Sequence, residues 1–246
     1  MRVKIDLKLQ EPIQLPIQYN HILQALILKM LGNEEYQTFL HDEGYGFKKR
    51  NYKLYTFSRL QGKFKILKDI NKIMFFDRAS LLISSYDEKF FKLVVNNSIH
   101  KDSLQILGKD IEINNIEASF FNVKDNELKV YTKSPITVYS TFKIDEKNKT
   151  YYYSPYEKEF SEMIRKNLIN KYIAFHGKEP EDTDFSIEIS KRRKPKESVI
   201  VYKGIVIKAW NGEFILKGST ELLNLAYKAG IGSKNSQGFG CLELAK

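Results

Sequence analysis

His41 lies in the stretch Phe39-Leu40-His41-Asp42-Glu43-Gly44-Tyr45, and a loop carrying Lys48, Lys49 and Arg50 separates it from Lys53. Tyr36, Tyr45 and Tyr52 are close by in sequence. Histidine is the side chain suited to proton transfer near neutral pH. These residue types match one reaction in particular. RNA carries its own nucleophile, the 2′-hydroxyl beside each phosphate. A protein that takes that proton, steadies the charge on the phosphorane and protonates the leaving 5′-oxygen cuts RNA without a metal. Histidine, lysine and tyrosine are what this needs. A solitary histidine near a helix end is more often plain surface, but the basic loop and the tyrosines weigh towards function. His21 caps or lines the first helix, and His100 and His176 read as structural. Asp42-Glu43 reads as a solvated helix end, so no metal and no other cofactor is expected.

A second concentration of unusual residues is Ala229-Gly230-Ile231-Gly232-Ser233-Lys234-Asn235-Ser236-Gln237-Gly238-Phe239-Gly240. Glycine costs folding entropy and is useful where the backbone needs positive φ or close approach. Exposed N–H groups beside a lysine form a cradle for phosphate oxygens. Gly232, Ser233, Lys234, Asn235 and Ser236 are the contacts this reading expects. A tight turn into a last strand explains the spacing equally well. Lys191-Arg192-Arg193-Lys194-Pro195-Lys196 is strongly basic, with Phe185 and Tyr202 in the neighbouring strands. Lys191, Arg192, Arg193 and Lys194, like Lys48, Lys49 and Arg50, are read as contacts to an RNA backbone.

The chain around these residues has 246 residues and a net charge of +10, with 13% aromatic side chains. Such a composition folds into real cores. The charge points to a polyanion, nucleic acid first and an anionic membrane surface second. No apolar run approaches the roughly 18 residues needed to span a bilayer. The N-terminus reads as a charged strand, not a signal peptide. The lone Cys241 forbids an internal disulfide and offers no metal-site spacing, which fits a reduced cytoplasm.

Hydrophobic periodicity supplies the elements that position the site. In residues 2–9, Val3, Ile5, Leu7 and Leu9 alternate with Arg2, Lys4, Asp6 and Lys8, the pattern of a half-buried strand. Ile22, Leu23, Leu26, Ile27 and Met30 mark a helix over 19–31, and a shorter helix follows over 34–41. Residues 42–52 read as loop, and 53–60 with 63–67 as a hairpin around Gln61-Gly62. A strand within 73–86, a helix over 88–96 and strand material over 106–123 complete the first half. The second half offers strands over 128–132 and 137–143 and a helix over 156–174. Strands over 185–189, 199–210 and 214–217, a helix over 220–228 and a last short strand follow. Each half reads as strand–helix–strand–strand–helix–strand, the split βαβ order. The expected fold class is therefore α+β, with tandem ferredoxin-like domains over 1–122 and 123–246. RNA-recognition modules share this architecture.

These residues together resemble the CRISPR-associated repeat-processing endoribonucleases, the sixth of the numbered Cas families. The resemblance is carried by Tyr19-Asn20-His21 with Leu23-Gln24-Ala25-Leu26-Ile27, by the segment around His41, and by Lys53-Leu54-Tyr55-Thr56-Phe57-Ser58-Arg59-Leu60. Ser134-Pro135-Ile136 and the glycine-rich tail continue it, in the family's order and over nearly the whole chain. It implies two ferredoxin-like domains flanking a basic cleft, and metal-independent cleavage within the repeats of precursor CRISPR RNA. Products would be a 5′-hydroxyl and a 2′,3′-cyclic phosphate. A catalytic histidine and lysine of the family match His41 and Lys53. The family's tyrosine falls where this chain has Leu28, so Tyr36 is taken as its replacement, with Tyr19 and Tyr45 as alternatives. The implied partners are CRISPR repeat RNA, an interference complex and a second copy of the chain, with no membrane.

Leu28 also keeps a second reading open, a family member that grips repeat RNA without cutting it. An unrelated RNA-recognition module would explain the charge and element order, but the chain lacks that module's aromatic-rich strand motif.

Overall fold

The computed structural model describes residues 1–101, 103–145 and 147–245. In the first half, β1 (Arg2–Lys8) and β2 (Ile13–Pro16) precede helices α1 (Asn20–Met30) and α2 (Glu34–Thr38). A short hairpin of β3 (Tyr45–Phe47) and β4 (Arg50–Tyr52) leads into β5 (Tyr55–Phe57), β6 (Gln61–Leu67) and the long β7 (Lys72–Ser85). Helix α3 (Glu88–Ile99) and the pair β8 (Ser103–Ile106) and β9 (Lys109–Ser119) complete it. The second half runs β10 (Glu127–Thr132), β11 (Tyr139–Ile144), β12 (Lys147–Tyr152), α4 (Lys158–His176) and β13 (Phe185–Ile189). It ends with β14 (Lys196–Tyr202), β15 (Ile205–Asn211), β16 (Glu213–Gly218), α5 (Thr220–Ala229) and β17 (Leu242–Leu244).

Two antiparallel sheets carry the fold. In the first, β7, β1 and β9 lie side by side, with β5 and β6 along the outer edge of β7. In the second the order is β13-β16-β10-β17. Both are the ferredoxin-like arrangement, so the α+β class and the tandem ferredoxin-like architecture stand. Each sheet packs two helices on one face. Val3, Ile5 and Leu7 of β1 meet Leu23, Leu26 and Ile27 of α1 and Phe90 and Val94 of α3 in one core. Val130 and Phe214 meet Phe160, Ile164 and Leu168 of α4 and Leu222 and Leu223 of α5 in another. A third, small cluster joins Ile200, Tyr202 and Ile207 to Phe239 of the glycine-rich segment. Burying a phenylalanine fully, as Phe239 is, contributes about 2–3 kcal/mol.

Several expectations change in ways that matter for the site. Residues 42–52 are not a loop but hold the β3–β4 hairpin, turned by Lys48-Lys49. Residues 53–67 do not form their own hairpin. β5 and β6 both pair with β7, and the register shifts at Gly62. The apolar run 199–210 is two strands, because Lys203 (φ 48°) and Gly204 (φ 81°) reverse the chain into a ribbon. Arg2, expected on the wet face of β1, is buried. Its guanidinium donates to the Leu242 carbonyl, pairs with Glu243 at 3.2 Å and lies over the Tyr227 ring. No helix among the described residues is long and apolar enough to cross a membrane.

Candidate active site

Asn33 caps α2 by accepting from the Tyr36 N–H at 2.8 Å. The helix then widens into one π-turn, Phe39–Glu43, closed at Gly44. Such turns are frequent at functional sites. Within it Leu40 is buried and His41 points outward, its side chain 68% exposed. His41 Nδ1 lies 2.6 Å from Asp42 Oδ1, which leaves Nε2 as the nitrogen for a second partner. Lys53, just after β4, donates from Nζ to the His41 carbonyl at 3.2 Å. Partial burial lowers the Lys53 pKa, while Asp42 and Glu43 pull it back up.

His41 and Lys53 share a cleft of about 340 Å³ with Gln24 and Leu28 of α1, Tyr202 and Lys203 at the ribbon's tip, and Lys234, Ser236 and Gln237. Leu28, the position where the resemblance places a tyrosine, thus lines the same cleft as the two polar candidates. Tyr36 does not. It is buried, and its hydroxyl donates to Asp87, which also accepts from Tyr45 at 2.5 Å. Burial and that carboxylate raise the pKa of both phenols. Tyr36 holds the base of the π-turn rather than facing the cleft.

The glycine-rich segment forms the opposite wall, and it is tightly knotted. The N–H groups of Ile231, Ser233 and Gly240 donate to Gly240, Thr137 and Pro135 carbonyls, and those of Gln237 and Gly238 close a turn within the segment. These five N–H groups are satisfied inside the protein, as the tight-turn reading expects. Gly238 shows why glycine is needed. Its φ is +83°, and a Cβ there would come within 2.7 Å of the Phe57 ring and 2.8 Å of the Asn20 amide. Asn20 in turn donates to the Gln237 carbonyl at 2.9 Å, and Thr56 to the Phe239 carbonyl at 2.8 Å.

Beneath the loop lies Lys171 of α4, fully buried on the helix face that also carries Phe160, Ile164 and Leu168. Its ammonium donates to the carbonyl of Gly230 at 2.8 Å, that of Gly232 at 3.4 Å and Asn235 Oδ1 at 2.7 Å. Burial pushes its pKa down to about 7. Asn235 also donates to the carbonyls of Ile231 and Phe239, each at 3.0 Å. Asn235, expected at the RNA, is therefore turned inward. What the loop offers outward is side chains, and Lys234 lies over the Tyr139 ring.

The cleft continues along the loop into two further hollows. One, of about 490 Å³, shares Lys53, Lys234, Ser236 and Gln237 with the first. The other, of about 510 Å³, shares Arg50, Gly232 and Ser233 with the second and adds Lys48, Lys49 and Lys166. The three form one trough, with His41 at one end and the basic β3–β4 turn at the other. The run 191–194 is not part of it. Arg192 and Arg193 border a separate hollow of about 930 Å³ beside Tyr131, Lys196 and Glu213, which shares no residue with the trough. Lys191 and Lys194 are exposed on the same loop. Among the described residues, no three His, Cys, Asp or Glu side chains group as metal ligands. His100 donates from Nδ1 to the Asn96 carbonyl at its own helix end, and His176 packs against Tyr86 and Tyr172.

Sequence reading missed Lys171, Gln24, Lys203 and Gln237. Lys171 carried a signal, a lysine at an apolar position of the α4 stripe. Gln24 and Lys203 carried none, because the ribbon that brings them together was itself unread.

A sequence model described as "CRISPR associated protein Cas6, C-terminal" matches residues 113–244. A curated relative from Methanocaldococcus jannaschii, named CRISPR-associated endoribonuclease Cas6 1, is 27% identical over 98% of this chain and 91% of its own length. A relative from Pyrococcus horikoshii, named putative CRISPR-associated endoribonuclease-like protein Cas6nc, is 28% identical over 99% of both chains. The solved structure of a Cas6-related gene product from Pyrococcus furiosus superposes with a TM-score of 0.85 at 27% identity, over 100% of this chain and 98% of that one.

Proposed function

The chain belongs to the Cas6 family, and from that premise we propose that it is a metal-independent endoribonuclease cutting precursor CRISPR RNA within its repeats. The observation that carries this is the shared cleft of His41 and Lys53, open along a trough lined with lysines. In the proposed reaction the 2′-hydroxyl attacks the adjacent phosphate, leaving a 2′,3′-cyclic phosphate and a 5′-hydroxyl. With Nδ1 engaged by Asp42, His41 works through Nε2 as general base or acid. Lys53 uses one ammonium hydrogen on the His41 carbonyl and has two left for the phosphate oxygens. Lys48, Lys49, Arg50, Ser233, Lys234 and Ser236 follow the strand along the trough. The cluster 191–194 meets phosphates beyond the active centre. We place the unit that carries His41 at 1–122 and the unit that carries the glycine-rich loop at 123–246. The buried residues of the first core all lie within 1–122, and those of the second lie within 123–246 apart from Tyr52 and Leu54. The site of action is the cytoplasm.

Leu28 in the cleft, with Tyr36 withdrawn to Asp87, favours one other reading: a protein that grips repeat RNA without cutting it. One experiment separates the two. The purified protein is incubated with its repeat RNA in EDTA, beside a substrate with a 2′-deoxy at the scissile nucleotide. Cleavage at one site, abolished by the 2′-deoxy, supports the endoribonuclease. Tight binding without cleavage, in EDTA and in magnesium, supports the binding protein.

A further inference from the structure

Tyr202 stands in the cleft without a part in the reaction above. It ends β14 at the ribbon's turn, while Gln24, which it meets, belongs to α1 on the other side. The Tyr202 hydroxyl donates to Gln24 Oε1. Gln24 shares that cleft with Tyr55, a fully buried ring stacked on Phe90 at 4.5 Å. Burial raises the Tyr202 pKa, so the group is a neutral phenol. A phenol whose single hydrogen is held in this way offers the cleft only lone pairs. Around it stand Lys53, Lys203 and Lys234, all donors suited to phosphate oxygens. Tyr202 is the complementary kind of group, an acceptor. On a sugar–phosphate strand the donor it can meet is a ribose 2′-hydroxyl. The reacting 2′-hydroxyl must give its proton to the base, so the match is with the ribose of a neighbouring nucleotide.

We propose that Tyr202, locked by Gln24, accepts a hydrogen bond from the 2′-hydroxyl of a nucleotide flanking the scissile phosphate, and so selects ribose over deoxyribose there. The inference rests on the endoribonuclease reading for the identity of the scissile phosphate.

The test is a scan of repeat RNAs carrying one 2′-deoxy at each position, with affinity measured on His41→Ala protein and on the same protein with Tyr202→Phe. The parent should lose about two- to tenfold in affinity at one flanking position. Tyr202→Phe should lose that discrimination at that position and keep the parent's pattern elsewhere. Gln24→Ala, which frees the phenol to turn its hydrogen into the cleft, should also shrink the penalty at that position. Equal penalties in parent and Tyr202→Phe at every position would overturn the proposal, whatever the overall loss of affinity. Cleavage by the wild-type protein is scored separately, so a protein that never cuts but shows the Tyr202-dependent penalty refutes the enzyme and leaves the ribose contact standing.

Discussion

His41 and Lys171 sit on facing walls of one trough under opposite conditions. His41 is exposed on a single π-turn, and one carboxylate holds its ring. Lys171 is fully buried, and three acceptors hold its ammonium. In the proposed reaction, the first wall keeps a reactive group free to meet a substrate. The second uses its polar groups on itself, so that Lys234 and Ser236 are presented from a backbone that cannot drift. The difference teaches that order and reactivity are assigned to separate walls, and that damage to each should be read out differently.

The largest effect is expected at the exposed wall. His41→Ala should slow single-turnover cleavage by about 10²- to 10⁴-fold while RNA affinity and melting temperature barely move. A variant that binds weakly but cuts at the normal rate when saturated would reverse the assignment. On the ordered wall the loss should be structural. Gly238→Ala forces alanine to positive φ against the Phe57 ring and should cost about 2–4 kcal/mol in denaturant unfolding, with cleavage lost as the loop shifts. An alanine variant as stable as the parent would mean the loop is not the close-packed knot described.

Lys171→Met sharpens the comparison through pH. The folded pKa of Lys171, about 7, lies below the ordinary lysine value of 10.5, so the unfolded chain binds the proton more tightly between those limits. Stability contributed by Lys171 is therefore lowest below pH 7 and rises as pH climbs towards 10. The parent should gain on Lys171→Met over that range, and a pH-independent difference would show that the ammonium is not desolvated. The smallest effect belongs to the loop outside the trough. Neutralising Arg193 and Lys194 should leave the saturated cleavage rate unchanged and flatten the salt dependence of binding by about 0.7 in log–log slope per lost contact to single-stranded RNA. An unchanged slope would remove that loop from the RNA path.

Much of this was legible because local pattern decides it. The alternation of Val3, Ile5 and Leu7 placed β1, the apolar spacing from Ile22 to Met30 placed α1, and 185–189 is a strand as its residues suggest. Residue chemistry drew attention to His41, the family resemblance paired it with Lys53, and the fold puts them in one cleft. The misses share a cause in long-range partners. Tyr36 looks available until Asp87 is folded against it. Lys171 stands on the apolar stripe of α4, yet only the fold supplies the glycine-rich loop that its ammonium meets. The run 199–210 is mostly apolar on both sides of Lys203-Gly204, which hid the reversal there and with it the Tyr202 side of the cleft. The glycine-rich loop's two readings were equal in sequence, because only the fold shows which N–H groups are already used.

Arg2 links the first strand to Leu242 and Glu243 in the last. Contacts that distant in sequence are made late, since the loop they close is nearly the whole chain. The wall opposite His41 is likewise made of residues near 230–240. A growing chain can collapse its first core early, yet it has half a trough and an unanswered guanidinium until residues 234–243 have emerged. Completion of the trough thus waits on the emergence of the glycine-rich segment, and a nascent chain that stops short of it carries His41 without the facing surface.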